Sequence, residues 1–351
     1  MPRKIITHDG MSFEYREYEL PALAATEVRV RVEFAAPKHG TERHGIEGSS
    51  FNRKIWDSDL RMYLPKVEDD QDPSWASGER GIGNMVVGTV TEVGGEATRY
   101  RPGDRVFGYG QICEEHQQPE DRWWPLGNLS PDDAVCVDPA HVAFVAVRDG
   151  HIRLGDTVAV FGLGAIGLCA VQLARAGGAR KVFAVDPIAI RREFAQGHGA
   201  DAAFDPVAVD AALQIKQATE RHGVDVSMET SGNGQALHEA IRCIRQCGTI
   251  VHVPWGPHDC SALHLDEEFH LNRPTIIGSQ AWEGWGNPDR DHPLWNPTRA
   301  FEATLELFRA GLVTGKGILH PVVPFDEAPE ALKAIFVQPE TTIKVGVTVA
   351  D

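Results

Sequence analysis

The chain has 351 residues, 42% of them hydrophobic, and a formal net charge of −16 at pH 7. This length allows two domains with separate cores, and the acidic charge argues against nucleic acid or an anionic membrane surface as a partner. No apolar stretch reaches the length of a membrane span, and the first residues, Met1–Ile6, lack the apolar region of a signal peptide. We therefore expect a cytoplasmic globular protein.

The six cysteines are scattered along the chain. Cys243 and Cys247 have the i, i+4 spacing of a helix face, but no histidine pair or second cysteine pair completes a metal site. This pattern is typical of reduced, buried thiols in a cytoplasmic protein.

Short β-patterned segments dominate the first 150 residues. Glu27–Ala35 and Met85–Val93 are predicted strands, and the turns between such segments are rich in glycine and proline. This pattern predicts a barrel-like all-β domain. The long polar segments Gly48–Gly83 and Trp282–Arg299 are interpreted as lids or binding loops.

Strand and helix patterns alternate from residue 151 onward, which predicts a doubly wound parallel sheet. The predicted strands are Thr157–Phe161, Lys181–Asp186, Ala202–Phe204, Val224–Glu229, Gly248–Val253 and Thr275–Ser279. The predicted helices are Gly164–Ala176, Ile190–His198, Val207–His222, Gln235–Ile244 and Thr298–Ala310. A final strand, Thr342–Val349, is expected to return to the first domain.

A dinucleotide-binding fingerprint lies at the first strand–helix junction of this sheet. Gly162, Gly164 and Gly167 follow a β-branched run and open a helix, and a second β-run ends on Asp186. The glycines permit a tight turn, a close approach of the backbone to a pyrophosphate and close packing of the helix on the strand. An acid in the position of Asp186 binds a ribose 2′-hydroxyl and repels a 2′-phosphate, so we predict NAD rather than NADP.

An N-terminal β domain, a central nucleotide domain and a C-terminal return resemble the medium-chain dehydrogenase/reductase superfamily. The resemblance extends over nearly the whole chain, and besides the fingerprint it rests on the segments Val90–Gly94, Arg101–Phe107, Leu154–Thr157, Glu229–Gly232 and Gly248–Val253. It implies the α/β fold class, with a Rossmann NAD-binding domain over residues 151–295 and a GroES-like β-barrel catalytic domain over residues 1–150 and 296–351. It also implies a homodimer or homotetramer.

The resemblance further indicates which residues bind the cofactor. It places Gly232, Val253 and the stretch Gly278–Gln280 near the nicotinamide, and Lys344 near the pyrophosphate. The predicted NAD-binding residues are Gly162, Leu163, Gly164, Ala165, Ile166, Gly167, Asp186, Pro187, Arg191, Thr230, Gly232, Val253, Pro254, Ser279 and Lys344.

The chain departs from its zinc-dependent relatives at the metal site. Those relatives carry a cysteine ligand where His39 stands here, and their second ligand motif aligns with Asn84 and Met85, neither of which suits zinc. The four-cysteine lobe that holds a structural zinc in relatives is missing as well. We therefore expect neither catalytic nor structural zinc. A relocated zinc site built from His39, His44 and Asp138 is the alternative.

Oxidation of an alcohol by NAD requires a group that takes up the hydroxyl proton. Thr41 and His44 keep the spacing, relative to His39, of a proton relay in the superfamily. We predict that His39 or Lys38 contacts the substrate hydroxyl and that Thr41 and His44 pass the proton outward. Two interpretations stay open for Asn84, namely a hydrogen bond to a substrate hydroxyl and the capping of a turn.

Aromatic residues indicate the class of small-molecule substrate. Flat rings suit sugar faces, and we predict that Trp56, Trp255, Trp282 and Asp138 contact the substrate. The favoured activity is zinc-independent, NAD-dependent oxidation of a secondary alcohol of a sugar, cyclitol, polyol or glycoside. The alternatives are a lyase or epimerase that retains NAD and works through transient oxidation, a quinone or enoyl reductase, and a non-catalytic NAD-binding protein.

Overall fold

The computed structural model describes residues 1–38, 54–66, 79–256, 258–281 and 293–349. The chain forms two compact units, one comprising Met1–Asp138 with Gly315–Asp351 and the other Pro139–Thr314. The predicted domain boundaries, after residue 150 and before residue 296, differ from these.

The described elements follow the predicted order of strands first and alternating strands and helices later. The strands are β1 (Arg3–Thr7), β2 (Phe13–Glu17), β3 (Glu27–Ala36), β4 (Lys54–Asp57), β5 (Met62–Pro65), β6 (Arg80–Gly81), β7 (Met85–Val93), β8 (Arg105–Tyr109), β9 (Glu115–Pro119), β10 (Trp123–Pro125), β11 (Thr157–Phe161), β12 (Lys181–Val185), β13 (Ala202–Phe204), β14 (Val224–Glu229), β15 (Ile244–His252), β16 (Thr275–Gly278), β17 (Leu319–Pro324) and β18 (Lys344–Thr348). The α-helices are α1 (Pro131–Val135), α2 (Val137–Asp149), α3 (Ala165–Ala176), α4 (Ala189–Gly197), α5 (Ala211–Ala218), α6 (Gly234–Arg242), α7 (Glu268–Asn272), α8 (Pro297–Arg309) and α9 (Ala328–Val337).

The main sheet of the first unit has the strand order β10-β8-β7-β3-β18-β17, and β9 also pairs with β3. Valines alternate along β3, so that Val28, Val30 and Val32 all point into the core and are fully buried. The last strand lies antiparallel to β3, with Val347 opposite Ala35. This pairing confirms that the end of the chain returns to the β domain.

The second unit is built on a parallel sheet of strand order β13-β12-β11-β14-β15-β16. From β11 the chain moves outward to β13 on one side and then crosses to β14 on the other side. The strand order therefore reverses at β11, where ligands bind to sheets of this kind. The predicted doubly wound sheet is confirmed. None of the described helices is both long and apolar enough to cross a membrane.

The structure differs from the sequence prediction at helix ends and at the unit boundaries. Strand β17 and helix α9 were not predicted, and α5 is shorter than predicted because Asp210 caps its first turn by accepting from the Leu213 N–H (2.9 Å). Helix α8 and residues 139–149 of α2, a helix that was not predicted, belong to the second unit, where the ring of His141 packs on that of Phe301 at 5.7 Å. Helical periodicity shows that a helix has a buried face, but not which sheet it covers.

Candidate functional site

The turn between β11 and α3 has the geometry that the glycine fingerprint predicts. Gly162 has a φ of +85°, which side chains rarely adopt. A Cβ atom on Gly167 would lie 1.9 Å from the carbonyl oxygen of Gly162, whereas a Cβ atom on Gly164 would meet no atom within 4 Å. Gly167 therefore allows the helix to pack on the turn, and Gly164 leaves the backbone open to a phosphate.

These two glycines make a matched pair of variants. Gly167→Ala should lower the free energy of unfolding by about 2 kcal/mol or more, because the added methyl group overlaps the backbone. Gly164→Ala should leave thermal stability nearly unchanged, since Gly164 has a φ of −69° and open space around it. It should nevertheless weaken NADH binding about tenfold, measured by fluorescence titration. NADH binding by Gly164→Ala at wild-type strength would contradict a phosphate site at this turn.

Asp186 is a buried carboxylate beside the glycine turn. Its Oδ2 atom accepts a hydrogen bond from the Leu163 N–H (2.7 Å), and its Oδ1 atom accepts one from the Ile188 N–H (2.8 Å). Arg191 lies 3.7 Å from the same carboxylate. Burial lowers the pKa of Arg191, and the charge of Asp186 opposes that effect. Asp186 thus joins the ends of β11 and β12, with Pro187 following it in the chain.

Further predicted cofactor residues of this unit lie at the carboxyl edge of the sheet. Thr230 follows β14, and its hydroxyl donates to the Gly162 carbonyl (2.7 Å). Val253 and Pro254 follow β15, and the N–H of Ser279, just after β16, donates to the His252 carbonyl (2.9 Å). Because carboxyl ends of parallel strands share one edge, the structure brings these residues to the side that binds ligands in open α/β sheets. Leu163, Ala165 and Ile166 lie in the glycine turn and the first turn of α3.

Glu229 is a residue of this edge to which the sequence analysis gave no role. It is fully buried, and its Oε1 atom accepts from the backbone N–H groups of Ser231 (2.6 Å) and Gly232 (3.0 Å). Its Oε2 atom lies 3.1 Å from Nδ1 of His252. Glu229 thereby holds the loop after β14, in which Gly232 has a φ of +74°. The signal in the sequence is an acid at the end of a buried strand, directly before a Thr-Ser-Gly turn.

A second polar cluster lies in the first unit and is centred on Asp138. This residue stands in the first turn of α2 and is only 5% exposed. Its carboxylate lies 3.0 Å from Nζ of Lys38 and accepts hydrogen bonds from Nδ2 of Asn84 (2.8 Å) and the hydroxyl of Tyr109 (3.2 Å). Three predicted site residues are thus in direct contact.

Strand register brings the partners of Asp138 together. Met85 at the start of β7 lies opposite Ala36 at the end of β3 and opposite Tyr109 at the end of β8. Lys38 follows Ala36 by two residues, and Asn84 directly precedes Met85. Tyr109 was not predicted, because its place depends on this register and not on any local pattern.

The Asp138 carboxylate stays charged in spite of its burial. Burial alone would raise its pKa, but the charge of Lys38, the hydrogen bond from Asn84 and the charge of Lys344 together lower the pKa below its ordinary value. Lys344 is itself buried, and its ammonium donates to the Pro37 carbonyl. The observed contacts of Lys344 therefore lie with this cluster, and its predicted role at the pyrophosphate stays a prediction.

Asn84 has a contact that neither interpretation of it included, since its amide donates to Asp138. Trp56 lies in the β4–β5 hairpin, where its ring meets that of Tyr63 edge-on at 5.1 Å. Trp255 follows β15 and is 37% exposed. The roles predicted for both tryptophans at the substrate stay predictions. Other predicted site residues fall outside the described residues, namely His39, Thr41, His44 and Trp282.

The comparisons with known proteins agree with this arrangement. A family model described as zinc-binding dehydrogenase matches residues 165–287. D-guloside 3-dehydrogenase from Escherichia coli (strain K12) is 39% identical over 339 residues, which cover 95% of each chain. D-xylulose reductase A from Aspergillus oryzae is 32% identical over 234 residues, 64% of this chain and 60% of that one. The crystal structure of 2R,3R-butanediol dehydrogenase from Bacillus subtilis matches with a TM-score of 0.75 and 22% identity over 100% of each chain.

A parallel dinucleotide-type sheet, together with a β domain that the last strand completes, is the fold of the alcohol dehydrogenases. The 39% identity to a sugar dehydrogenase shows that the chain is an oxidoreductase of this class. The similarity over 95% of the chain makes the assignment specific. The chain belongs to the medium-chain dehydrogenase/reductase superfamily, and the predicted resemblance is confirmed.

Proposed function

We propose that this protein is an NAD-dependent dehydrogenase that oxidises a secondary alcohol of a sugar or glycoside without a catalytic zinc ion. The observation that carries the proposal is the ammonium of Lys38, held 3.0 Å from the buried carboxylate of Asp138. Two relatives named above, a D-guloside 3-dehydrogenase and a D-xylulose reductase, support a sugar-like substrate.

The residues of the second unit fit NAD. The turn at Gly162 has the required left-handed backbone, Gly164 leaves room for a pyrophosphate, and Asp186 supplies beside the turn the carboxylate that a ribose hydroxyl would need. When bound, NAD supplies the acceptor for the hydride of the substrate carbon. The protein must therefore orient the alcohol and handle its proton.

The described residues around Asp138 do not fit a zinc ion. Lys38 and Asn84 both turn N–H groups towards Asp138, and neither an ammonium nor an amide nitrogen has a lone pair for a metal. The amide oxygen of Asn84 is not among the thiolate, imidazole and carboxylate ligands that zinc takes in proteins. Of the alternative site built from His39, His44 and Asp138, only Asp138 is among the described residues. Both of its carboxylate oxygens already accept from neighbouring side chains.

Lys38 is suited to stabilise the substrate oxygen as its proton leaves. An ammonium has three donors, so the contacts of Lys38 with Asp138 leave capacity for a further acceptor. Lys38 and Lys344 together carry two positive charges against one negative charge on Asp138, which favours negative charge on a bound oxygen. In this proposal, His39 or Lys38 contacts the hydroxyl, and Thr41 and His44 lead the proton away.

A test is to follow NADH formation with a panel of glycosides, sugars, polyols and cyclitols, with and without 1,10-phenanthroline. We expect NADH to accumulate with a sugar-like alcohol at a rate that the chelator does not change. Conversion of substrate without NADH accumulation would favour the lyase or epimerase. Activity that the chelator abolishes and added zinc restores would refute the metal-free mechanism.

A further inference from the structure

A group of metal-ligating side chains in the second unit has no role in the proposed reaction. Ligand atoms of His238, Glu267 and Glu268 all lie within 4.8 Å of one another. His238 is in the middle of α6, Glu267 is the residue before α7, and Glu268 is the first residue of α7. The group uses no residue of the cluster around Asp138.

Two of these three side chains have a buried polar atom that finds no partner among the described residues. His238 is 93% buried, with 7% of its surface exposed, and its Nδ1 atom makes no hydrogen bond with the described residues. The Oε2 atom of Glu268 is likewise buried and accepts no hydrogen bond from that part of the chain. Unpaired polar atoms of this kind are unfavourable in a protein interior. Coordination of a cation would give both side chains a partner.

The charges around the group favour a cation. Nε of Arg242 lies 3.7 Å from Oε1 of Glu268. Arg242 also pairs with Asp210 and with Glu239 of its own helix, each at 2.8 Å. Lys216 is the other positive charge that acts on Glu268, and its ammonium donates to a backbone carbonyl. The carboxylates of Asp210, Glu239, Glu267 and Glu268 therefore outnumber the two cations, Arg242 and Lys216, and the net charge here is negative.

We propose that His238, Glu267 and Glu268 bind a zinc ion that ties the start of α7 to α6. One imidazole and two carboxylates suit zinc, whereas magnesium and calcium prefer oxygen ligands alone. Ligands of a tetrahedral zinc lie about 3.4 Å apart, and the exposed side chain of Glu267 can move to close the site. The ion raises the free energy of unfolding, because it restrains the segment between β15 and α7, in which Trp255 lies.

The test measures zinc binding to protein stripped with a chelator, by equilibrium dialysis against ZnCl₂ and metal analysis. The full chain should bind zinc, and His238→Gln and Glu267→Gln should each bind one equivalent less. Zinc should raise the melting temperature of the wild type and not that of the two variants. His222→Gln, which changes an exposed histidine of the same unit, is the matched control and should behave as wild type.

Glu267→Gln distinguishes loss of the zinc site from loss of folding, because the side chain of Glu267 is exposed. Without zinc, the melting temperature of this variant should equal that of the wild type. Both variants should retain wild-type dehydrogenase turnover, which separates this ion from a catalytic one. Equal zinc binding by the wild type and His238→Gln, or no zinc binding by either, would overturn the proposal.

Discussion

Replacing Lys38 by methionine should lower kcat/KM about 1000-fold and leave the dissociation constant for NADH unchanged. Methionine keeps much of the length of the side chain but removes its charge and its three donors. Removal of one preorganised donor to a developing oxyanion costs about 10² to 10³ in rate, and the loss of the nearby positive charge adds to this. The residues predicted to bind NADH, in the glycine turn and at Asp186, lie in the second unit, so cofactor binding reports on the folding of that unit independently of turnover.

The controls for Lys38 use the same unit. Lys333→Met changes an exposed lysine in α9 and should leave kcat/KM unchanged. Asp138→Asn keeps the shape of the carboxylate but weakens its hold on Lys38, and it should lower kcat more than it raises KM, because Asp138 acts by positioning. Turnover by Lys38→Met within about threefold of wild type would refute the role of Lys38 in catalysis. The reaction would then depend on His39 alone.

Much of the fold was predictable because its signals are local. The β-branched runs of β11 and β14, the alternation in β3 and the glycine turn depend on residues within a few positions of one another. Each was predicted with correct or nearly correct bounds. Helix α9 was missed because a short helix that begins with a proline-containing turn resembles a loop in sequence. Helix α2 and strand β17 were also missed, α2 within the segment predicted to be all-β. The family assignment followed from motif order and is confirmed.

The candidate site was predictable as a set of residues but not as a cluster. Lys38, Asn84 and Asp138 were each singled out, yet for separate roles at the substrate. Their mutual contacts depend on the register between β3, β7 and β8, which places the ends of the three strands side by side. Lys344 joins them through the return of the last strand, although it lies 307 residues after Pro37 in the sequence. No local pattern encodes a contact at that separation.

A second substitution with a large expected effect is at Asp186, which is predicted to select NADH over NADPH. We expect the wild type to bind NADH at least tenfold more tightly than NADPH, and Asp186→Asn to remove that preference. The substitution removes the negative charge that repels a 2′-phosphate, and it releases Arg191, now 3.7 Å from the carboxylate, to pair with that phosphate. A hydrogen bond to a charged group contributes about 1.5–3 kcal/mol, which corresponds to roughly 10- to 100-fold in binding.

The test separates a structural role of Asp186 from a role in selecting the cofactor. Because its carboxylate accepts from Leu163 and Ile188, a structural role alone would lower stability and weaken both cofactors equally. Asp205 is the matched control, since it follows the neighbouring strand β13, accepts from the Val207 N–H (2.9 Å) and pairs with Arg192 (3.3 Å). Asp205→Asn should leave the ratio of the two dissociation constants unchanged. An unchanged ratio in Asp186→Asn would show that Asp186 fixes the turn without selecting the cofactor.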